Sequence, residues 1–374
     1  MHYTNAILAV LGFVALAEAS KHYMFIGTFS TKFLYTAVYE DTTGTLALYS
    51  KHPTNEALSW ITLSHDKTNL YGTDWNATTP SFVTLSVDMD LVIHYKNKLV
   101  GDSDCTGGKS AFITANRLPP YTVYGTYLGG NAKCETVMSV NDSGLLHSVV
   151  QEFEYVSGSA VQGLSFSNGS RYLYSADGGN NALWVHDMSQ TDGSIKSLWR
   201  LPMPEEKANP RRVVSHPADA YIYTVLEGTS EVAQCLTSNT GELYLLKQTY
   251  PLIGDGEKPS DFWASEIALS ATGKYLWASN RARYADGKGY LSAIEVTAEG
   301  QLKKQLFLTN TANNGGFPNT IAPSPFDDGI VVVTDNSTGF VQIWKMDDDE
   351  KGAQMIAHLD IPDGGCCANA VWYD

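Results

Sequence analysis

Arginine is scarce in this chain, and four of the seven arginines fall into two close pairs. Arg211 and Arg212 precede one short apolar segment, whereas Arg281 and Arg283 follow another, and Glu227 lies between the pairs. A guanidinium matches a carboxylate with two parallel hydrogen bonds, so arginines that converge on one cavity favour a ligand with more than one carboxylate. Such a site requires a fold that brings these distant segments together.

The element that could do this is a repeat, which is clearest in three stretches. Each contains an apolar strand, a polar turn and then a strand with a Tyr-apolar-aromatic pattern. They read "LSFSNGSRYLYSADG" at 164–178, "VVSHPADAYIYTVLE" at 213–227 and "IALSATGKYLWASNR" at 267–281. Looser copies begin near positions 61, 111 and 321, and the terminal "ANAVWYD" resembles another first strand.

The first strands of these copies are evenly spaced. Their anchors are Thr62, Ile113, Leu164, Val213, Ile267, Ile321 and Val371. A period of about 50 residues with short strands and turn residues is typical of a propeller built from four-stranded blades. We therefore predict one all-β domain over 20–374, a seven-bladed β-propeller in which N-terminal strands complete the blade of the last anchor. A stack of two β-sandwiches is the alternative.

In a propeller, residues just before the first strand and just after the second strand of each blade crowd one mouth of the axial channel. The positions before the anchors hold Trp60, Ala111, Gln162, Arg211, Ser265, Asn319 and Asn369. The positions after the second strands hold Asp74, Trp75, Asp177, Glu227, Arg281 and Asp335. The candidate ligand-binding residues are therefore Arg211, Arg212, Arg281, Arg283, Trp60, Asp177, Asn319 and Asn369. Arg211 could instead pair with Glu227 only to satisfy the hydrogen-bonding groups of a polar channel. This structural role and a role in ligand binding are compatible.

Composition limits the partners. The formal net charge of −15 argues against nucleic acid or an anionic membrane as a partner. It does not argue against an anionic small molecule, because local arginines set the field in a cleft. The five cysteines have spacings that match no zinc site, so we predict no metal.

The N-terminus and four sequons point to export. Residues 1–19 contain an apolar run that ends in Ala17-Glu18-Ala19, which is typical of a secretory signal peptide. A buried strand or helix is the alternative for this segment. Asn76, Asn141, Asn168 and Asn336 stand in glycosylation sequons, so we predict a secreted glycoprotein. Asn336 would carry its glycan at the mouth.

The five cysteines allow at most two disulfides. Because an adjacent pair forms a strained ring, we expect Cys366 or Cys367 to bridge to Cys235 or to stay free. Cys105 could bridge to Cys134 within the second repeat.

Across nearly the whole of 20–374, the sequence resembles the fungal 3-carboxy-cis,cis-muconate lactonizing enzymes (carboxymuconate cyclases), which belong to the seven-bladed lactonase propellers. The resemblance is carried by "LSWITLSHDKTNLYG", "RYLYSADGGNNALWVH", "NPRRVVSHP", "GKYLWASNRA", "QLFLTNTANNGGFPNTIAPSP" and "NAVWYD". It implies an isomerisation in which a substrate carboxylate adds across a double bond to close a lactone, without a metal or an organic cofactor.

The resemblance also implies roles for individual residues. Arg211 and Arg281 match the clamp arginines, and Glu227 matches the acid or its orienting partner. Where the family has a histidine in an Ile-His-Gly stretch, this chain has Val161-Gln162-Gly163. Glutamine can hydrogen-bond a substrate but cannot exchange a proton near neutral pH.

Two hypotheses follow from the sequence. The first is an exported lactone-forming or lactone-opening enzyme that acts on a di- or tricarboxylate or a sugar-acid lactone, with Glu227, Arg211, Arg281 and Gln162 as its catalytic set. The second is a non-catalytic secreted propeller that binds an anionic ligand or a macromolecule.

Overall fold

The computed structural model describes residues 20–101, 108–130, 133–284, 287–311, 320–364 and 366–374. These residues form seven four-stranded antiparallel sheets, which are the blades of a propeller. The predicted fold is confirmed, and each of the seven anchors lies in the first strand of a blade. A short 3-10 turn at Pro259–Asp261 is the one helical element in the described part of the chain, which holds no helix long and apolar enough to cross a membrane.

The strands of the first four blades are as follows. Blade 1 contains β1 (Lys21–Thr28), β2 (Phe33–Glu40) and β3 (Thr45–Pro53), and it is completed by the last strand of the chain. Blade 2 contains β4 (Leu58–Leu63), β5 (Asn69–Asp74), β6 (Ser81–Val87) and β7 (Ile93–Val100). Blade 3 contains β8 (Lys109–Ala115), β9 (Val123–Leu128), β10 (Cys134–Val140) and β11 (Leu146–Glu154). Blade 4 contains β12 (Val161–Phe166), β13 (Tyr172–Asp177), β14 (Ala182–Met188) and β15 (Ile195–Pro202).

The remaining strands follow the same plan. Blade 5 contains β16 (Pro210–Ser215), β17 (Tyr221–Leu226), β18 (Glu231–Thr237) and β19 (Leu243–Pro251). Blade 6 contains β20 (Phe262–Leu269), β21 (Tyr275–Ala282), β22 (Tyr290–Val296) and β23 (Leu302–Asn310). Blade 7 contains β24 (Thr320–Pro323), β25 (Ile330–Asp335), β26 (Phe340–Met346) and β27 (Ala353–Asp360). The last strand is β28 (Cys366–Trp372).

Burial along the strands explains why the sequence forms this ring. The second strands β5, β13 and β25 are buried at every position because neighbouring blades cover both of their faces. The outer strand β7 alternates between exposed and covered residues, as expected for a sheet with one face in water. Apolar clusters fill the spaces between blades, and burying one large aliphatic or aromatic side chain stabilises the fold by about 1.5–3 kcal/mol.

Ring closure follows the prediction. β28 pairs antiparallel with β1, with Phe25 opposite Val371 and Met24 opposite Trp372. The two ends of the described chain therefore share blade 1, and the ring has no open sheet edge at that point.

The structure corrects the prediction for the adjacent cysteines. Cys366 and Cys367 are bonded to each other, whereas Cys235 is a buried free thiol. The expected bridge to Cys235 is therefore wrong. Cys105 lies outside the described residues, so its pairing with Cys134 stays a prediction.

Candidate functional site

A cavity of about 270 Å³ opens at one end of the propeller axis. We call it the mouth cavity. It collects side chains from six blades, since its walls come from the beginnings of first strands, from the ends of second strands and from the residues that follow second strands. The mouth cavity is lined by Phe29, Ser59, Trp60, Trp75, Ala111, Leu128, Gln162, Arg211, Arg212, Glu227, Trp263 and Arg281.

Arg211 and Glu227 form one wall of the mouth cavity as an ion pair. Arg211 lies at the start of β16, and Glu227 follows the end of β17, its antiparallel neighbour. Nη1 of Arg211 donates to Oε2 of Glu227 over 2.6 Å, and Nε donates to the carbonyl oxygen of Ser265 over 3.1 Å. The side chain of Arg211 is therefore fixed by two blades and presents its remaining N–H groups to the cavity.

Arg281 forms the adjacent wall and is 1% exposed. It pairs across β20 and β21 with Trp263, and its guanidinium carbon lies 5.0 Å from the centre of the indole ring. Burial lowers the pKa of Arg281 well below its ordinary value, and the nearby charge of Arg211 lowers it further. An anion bound between these guanidiniums would offset that repulsion.

Arg212 lies below the other arginines and is 5% exposed. Its Nε donates to Oε2 of Glu266 over 3.1 Å, and its Nη1 donates to the carbonyl oxygen of Gln162. Burial lowers the pKa of Arg212 to about 10, while the charge of Glu266 opposes that shift.

Gln162 reaches the mouth cavity from β12. Among the described residues, none forms a hydrogen bond with its side-chain amide, which can therefore both donate to and accept from a ligand. Its neighbour Gly163 makes this position possible, because a Cβ there would lie 2.8 Å from the carbonyl oxygen of Arg211 and 2.8 Å from Cα of Arg212. Blades 4 and 5 thus meet backbone to backbone beside the cavity.

Aromatic side chains form the rest of the wall. Trp60 and Trp263 lie against the arginines, while Phe29 and Trp75 contact each other edge to face with ring centres 5.2 Å apart. Nζ of Lys109 lies 4.6 Å from the ring centre of Trp75. Cations next to flat apolar surfaces suit a planar ligand that carries its negative charges at the edge.

The other predicted residues lie outside the lining of the mouth cavity. Asp177 is fully buried and accepts hydrogen bonds from Ser159, the backbone of Ala160 and Trp184. Asn369 bonds to both backbone groups of Ile61, deeper in the channel.

Arg283 is exposed and is not among the residues that line the mouth cavity, and its guanidinium carbon lies 4.6 Å from the ring centre of Trp263. Asn319 lies outside the described residues.

The sequons occupy different places. Asn76, Asn141 and Asn168 are exposed, whereas Asn336 is partly buried directly after β25, at the mouth end of blade 7. Nδ2 of Asn76 donates to the carbonyl oxygen of Phe29 over 2.7 Å, beside the mouth cavity.

Sequence reasoning missed Trp263 and Phe29. Phe29 directly follows β1, which is the second strand of blade 1, so the rule that found Glu227 and Arg281 would have found it too. Trp263 lies four positions before the anchor of blade 6, because β20 begins early and contains a bulge between Ala264 and Glu266.

Comparison with known proteins decides the family. The family described as lactonase, 7-bladed beta-propeller, matches residues 23–367. This chain belongs to that family. No group of three or more His, Cys, Asp or Glu side chains that could hold a metal ion occurs in the described part of this lactonase-family chain.

Two curated relatives resemble the lactonase-family chain along most of its length. It is 29% identical to the carboxy-cis,cis-muconate cyclase of Neurospora crassa, over 94% of this chain and 99% of the relative. It is 23% identical to muconate cycloisomerase 1 of Cutaneotrichosporon cutaneum, over 90% of this chain and 93% of the relative.

Solved structures support the same fold. The periplasmic gluconolactonase of Pseudomonas aeruginosa has a TM-score of 0.79 and 16% identity, with 94% of this chain and 99% of that chain covered. A protein from Lactobacillus plantarum has a TM-score of 0.78 and 19% identity, with 94% and 99% covered.

Proposed function

We propose that this chain is a cofactor-independent enzyme that closes or opens the lactone ring of a planar carboxylate held in the mouth cavity. The observation that carries the proposal is the convergence of Arg211, Arg281 and Glu227 on one cavity beside three tryptophans. Two guanidiniums can hold two carboxylate groups, and Glu227 is the one carboxylic acid among the described lining residues.

The ring-closing direction assigns a task to each group. Arg211 and Arg281 hold the substrate carboxylates so that one carboxylate oxygen faces an alkene carbon. When the substrate carboxylate takes over the bond to Arg211, Glu227 takes up a proton from solvent. The substrate oxygen forms the new C–O bond as the π bond breaks, and this proton forms a C–H bond at the neighbouring carbon. Glu227 returns to its carboxylate form, so each turnover consumes one proton from solvent. Ring opening is the reverse and releases it.

The relatives supply the substrate to test first. The Neurospora crassa relative is named as a carboxy-cis,cis-muconate cyclase, and this substrate is planar and carries three carboxylates. Purified protein would be incubated with 3-carboxy-cis,cis-muconate while the loss of diene absorbance and the proton balance are measured together. The proposal predicts absorbance loss with proton uptake. Sugar-acid lactones test a different ring opening, in which water adds to the lactone carbonyl and the acyl C–O bond breaks to give a hydroxy carboxylate and one released proton.

A binding protein without turnover is the second candidate function. It is favoured by Gln162, which cannot exchange a proton at the position where the family has histidine. This candidate predicts a di- or tricarboxylate bound at the mouth cavity, or a macromolecule at its rim, with neither proton uptake nor release.

We also infer that the protein is secreted, from the apolar segment within 1–19 and the four sequons. Expression in a eukaryotic secretion host followed by peptide mass mapping would test this. The expected peptides begin at Ser20 and carry glycans at one or more of the sequons; an intact residue 1–19 segment on intracellular protein would contradict the inference.

A further inference from the structure

The axial channel contains a second, larger space below the mouth cavity. This lower chamber has a volume of about 620 Å³ and is lined by inner-strand residues such as Ile113, Leu164 and Asn369. Arg117 and Asn168 also line the lower chamber. The mouth cavity and the lower chamber share only Trp60 and Arg212 among their described lining residues. These two side chains therefore form the boundary between the mouth cavity and the lower chamber.

The guanidinium of Arg212 lies over two aromatic rings at this boundary. Its central carbon lies 4.3 Å from the ring centre of Trp60 and 5.0 Å from that of Phe112. Glu266 and the carbonyl oxygen of Gln162 accept hydrogen bonds from its edge. Four other blades thus fix one arginine of blade 5 by ring contacts and by hydrogen bonds, which is a geometry that a lysine cannot reproduce.

Arg212 also differs from Arg211 and Arg281 in its charge partner. The carboxylate of Glu266 is 9% exposed in its side chain and lines the lower chamber, so the positive charge of Arg212 is largely balanced from below. Arg211 and Arg281 face the mouth cavity from the walls, whereas Arg212 spans its floor.

We propose that Arg212 is a positioning residue that seals the mouth cavity from the lower chamber. The stack of Arg212 on Trp60 and Phe112, pinned by Glu266, forms a septum that keeps water of the open channel away from bound ligand. Through its bond to the carbonyl oxygen of Gln162, the same guanidinium fixes the backbone that presents the Gln162 amide. The seal stands on geometry alone, and only its effect on turnover rests on the proposed function.

The direct test is the solvent exposure of Trp60. The full chain would be labelled with 5-fluorotryptophan, and the Trp60 resonance would be assigned with W60F. The difference in the fluorine chemical shift of Trp60 between H₂O and D₂O then measures the contact of this indole with water. We expect a larger solvent shift in R212K and in the double variant R212M/E266Q, which leaves no buried unpaired carboxylate. R117M, which removes a cation from the lower chamber, is the matched control and should leave the shift unchanged.

R212K distinguishes the effect of guanidinium stacking from the effect of the positive charge. Lysine keeps the charge but cannot stack on the rings or bridge Glu266 and Gln162 in the same way. If R212K behaves like the wild type in the solvent shift, the stacked septum is wrong. Thermal unfolding of each variant would show that the comparison is made on folded protein. This readout needs no activity, so it stands even if the proposed function fails.

A turnover readout tests the positioning role. Loss of precise placement costs on the order of 100-fold in rate, so we expect kcat of R212K to fall by about that factor with a smaller change in KM. Binding of propane-1,2,3-tricarboxylate should weaken less in R212K than in R211M. An R212K variant that loses tricarboxylate binding as R211M does, with Trp60 still shielded, would make Arg212 a ligand clamp and overturn the proposal.

Discussion

Nη1 of Arg211 donates to Oε2 of Glu227 over 2.6 Å at the wall of the mouth cavity, while Nε of the same guanidinium is held by the carbonyl oxygen of Ser265. The ion pair satisfies the hydrogen-bonding groups of two polar side chains in the channel. It also holds an arginine and an acid in the wall of the same ligand-sized cavity. The two roles that the sequence left open are therefore compatible in the structure, and mutation can separate them.

Replacing Glu227 with glutamine keeps the shape of the side chain, but the amide neither carries the negative charge nor takes up and passes on a proton. We expect E227Q to lose roughly 10²- to 10⁴-fold in kcat, which is the usual contribution of general acid–base catalysis. Affinity for a tricarboxylate should not fall, because a negative charge that repels the ligand has been removed. Steady-state kinetics and calorimetric titration check the two parts. E299Q, at an exposed surface glutamate, is the control; an unchanged kcat in E227Q would leave Glu227 as a mere partner of Arg211.

Position 162, where the resemblance to the carboxymuconate cyclases implies a histidine, tests whether glutamine limits the chemistry. Gln162 lines the mouth cavity together with Arg211 and Arg281, so Q162H would place a group that titrates near neutral pH in the same cavity as these arginines. We expect cyclase activity with 3-carboxy-cis,cis-muconate to rise by on the order of 10²-fold or more. Wild-type protein assayed in parallel is the reference. Equal rates in the two proteins would show that glutamine at this position is no obstacle.

Glu135 should make the stability of the fold depend on pH. It is fully buried between blades 3 and 4, where the hydroxyl of Tyr155 donates to it over 2.5 Å. Burial raises the pKa of Glu135 from 4.5 to about 8, so the folded protein retains a proton that the unfolded chain releases in this range. The free energy of unfolding therefore falls as the pH rises through that window.

His186 opposes this trend at lower pH. Burial lowers its pKa from 6.5 to about 3, which makes the protein lose stability as the pH falls below 6.5. The effect of Glu135 should thus emerge above about pH 6.5, with a slope of at most about 1.4 kcal/mol per pH unit. Urea unfolding at several pH values would measure it. E135Q should remove the decline between pH 6.5 and 8, and an equal decline in E135Q would assign it to other groups.

Gly163 tests the close contact of blades 4 and 5 beside the site. A Cβ at this position meets the backbone of Arg211 and Arg212 at 2.8 Å, so G163A must push the two first strands apart. We expect a loss of about 1–3 kcal/mol in the free energy of unfolding and weaker tricarboxylate binding. G169A, where no atom lies within 4 Å of the new Cβ, is the matched control. Equal stability of the two variants would contradict the contact.

Much of this architecture could be predicted because repetition is visible in sequence. Strand pairs at a period of about 50 residues fix the number of blades, and propeller geometry then places Arg211, Gln162, Glu227 and Arg281 at one mouth. Trp263 was missed because the early start and the bulge of β20 shift it out of the position that the rule inspects.

Other details depended on contacts that no spacing reveals. Asn369 stands two residues before an anchor, which is a position that predicts the mouth of the channel. Its side-chain amide instead forms hydrogen bonds with the backbone of Ile61. The pairing of Cys366 with Cys367 likewise depends on local backbone geometry, which sequence separation does not determine.

The most direct test of the proposed carboxylate site is a crystal structure of the protein with propane-1,2,3-tricarboxylate bound. We expect density in the mouth cavity with carboxylate groups on the guanidiniums of Arg211 and Arg281, and no such density in R211M/R281M crystals. A tricarboxylate found elsewhere on the protein, with an unoccupied mouth cavity at saturating concentration, would contradict it.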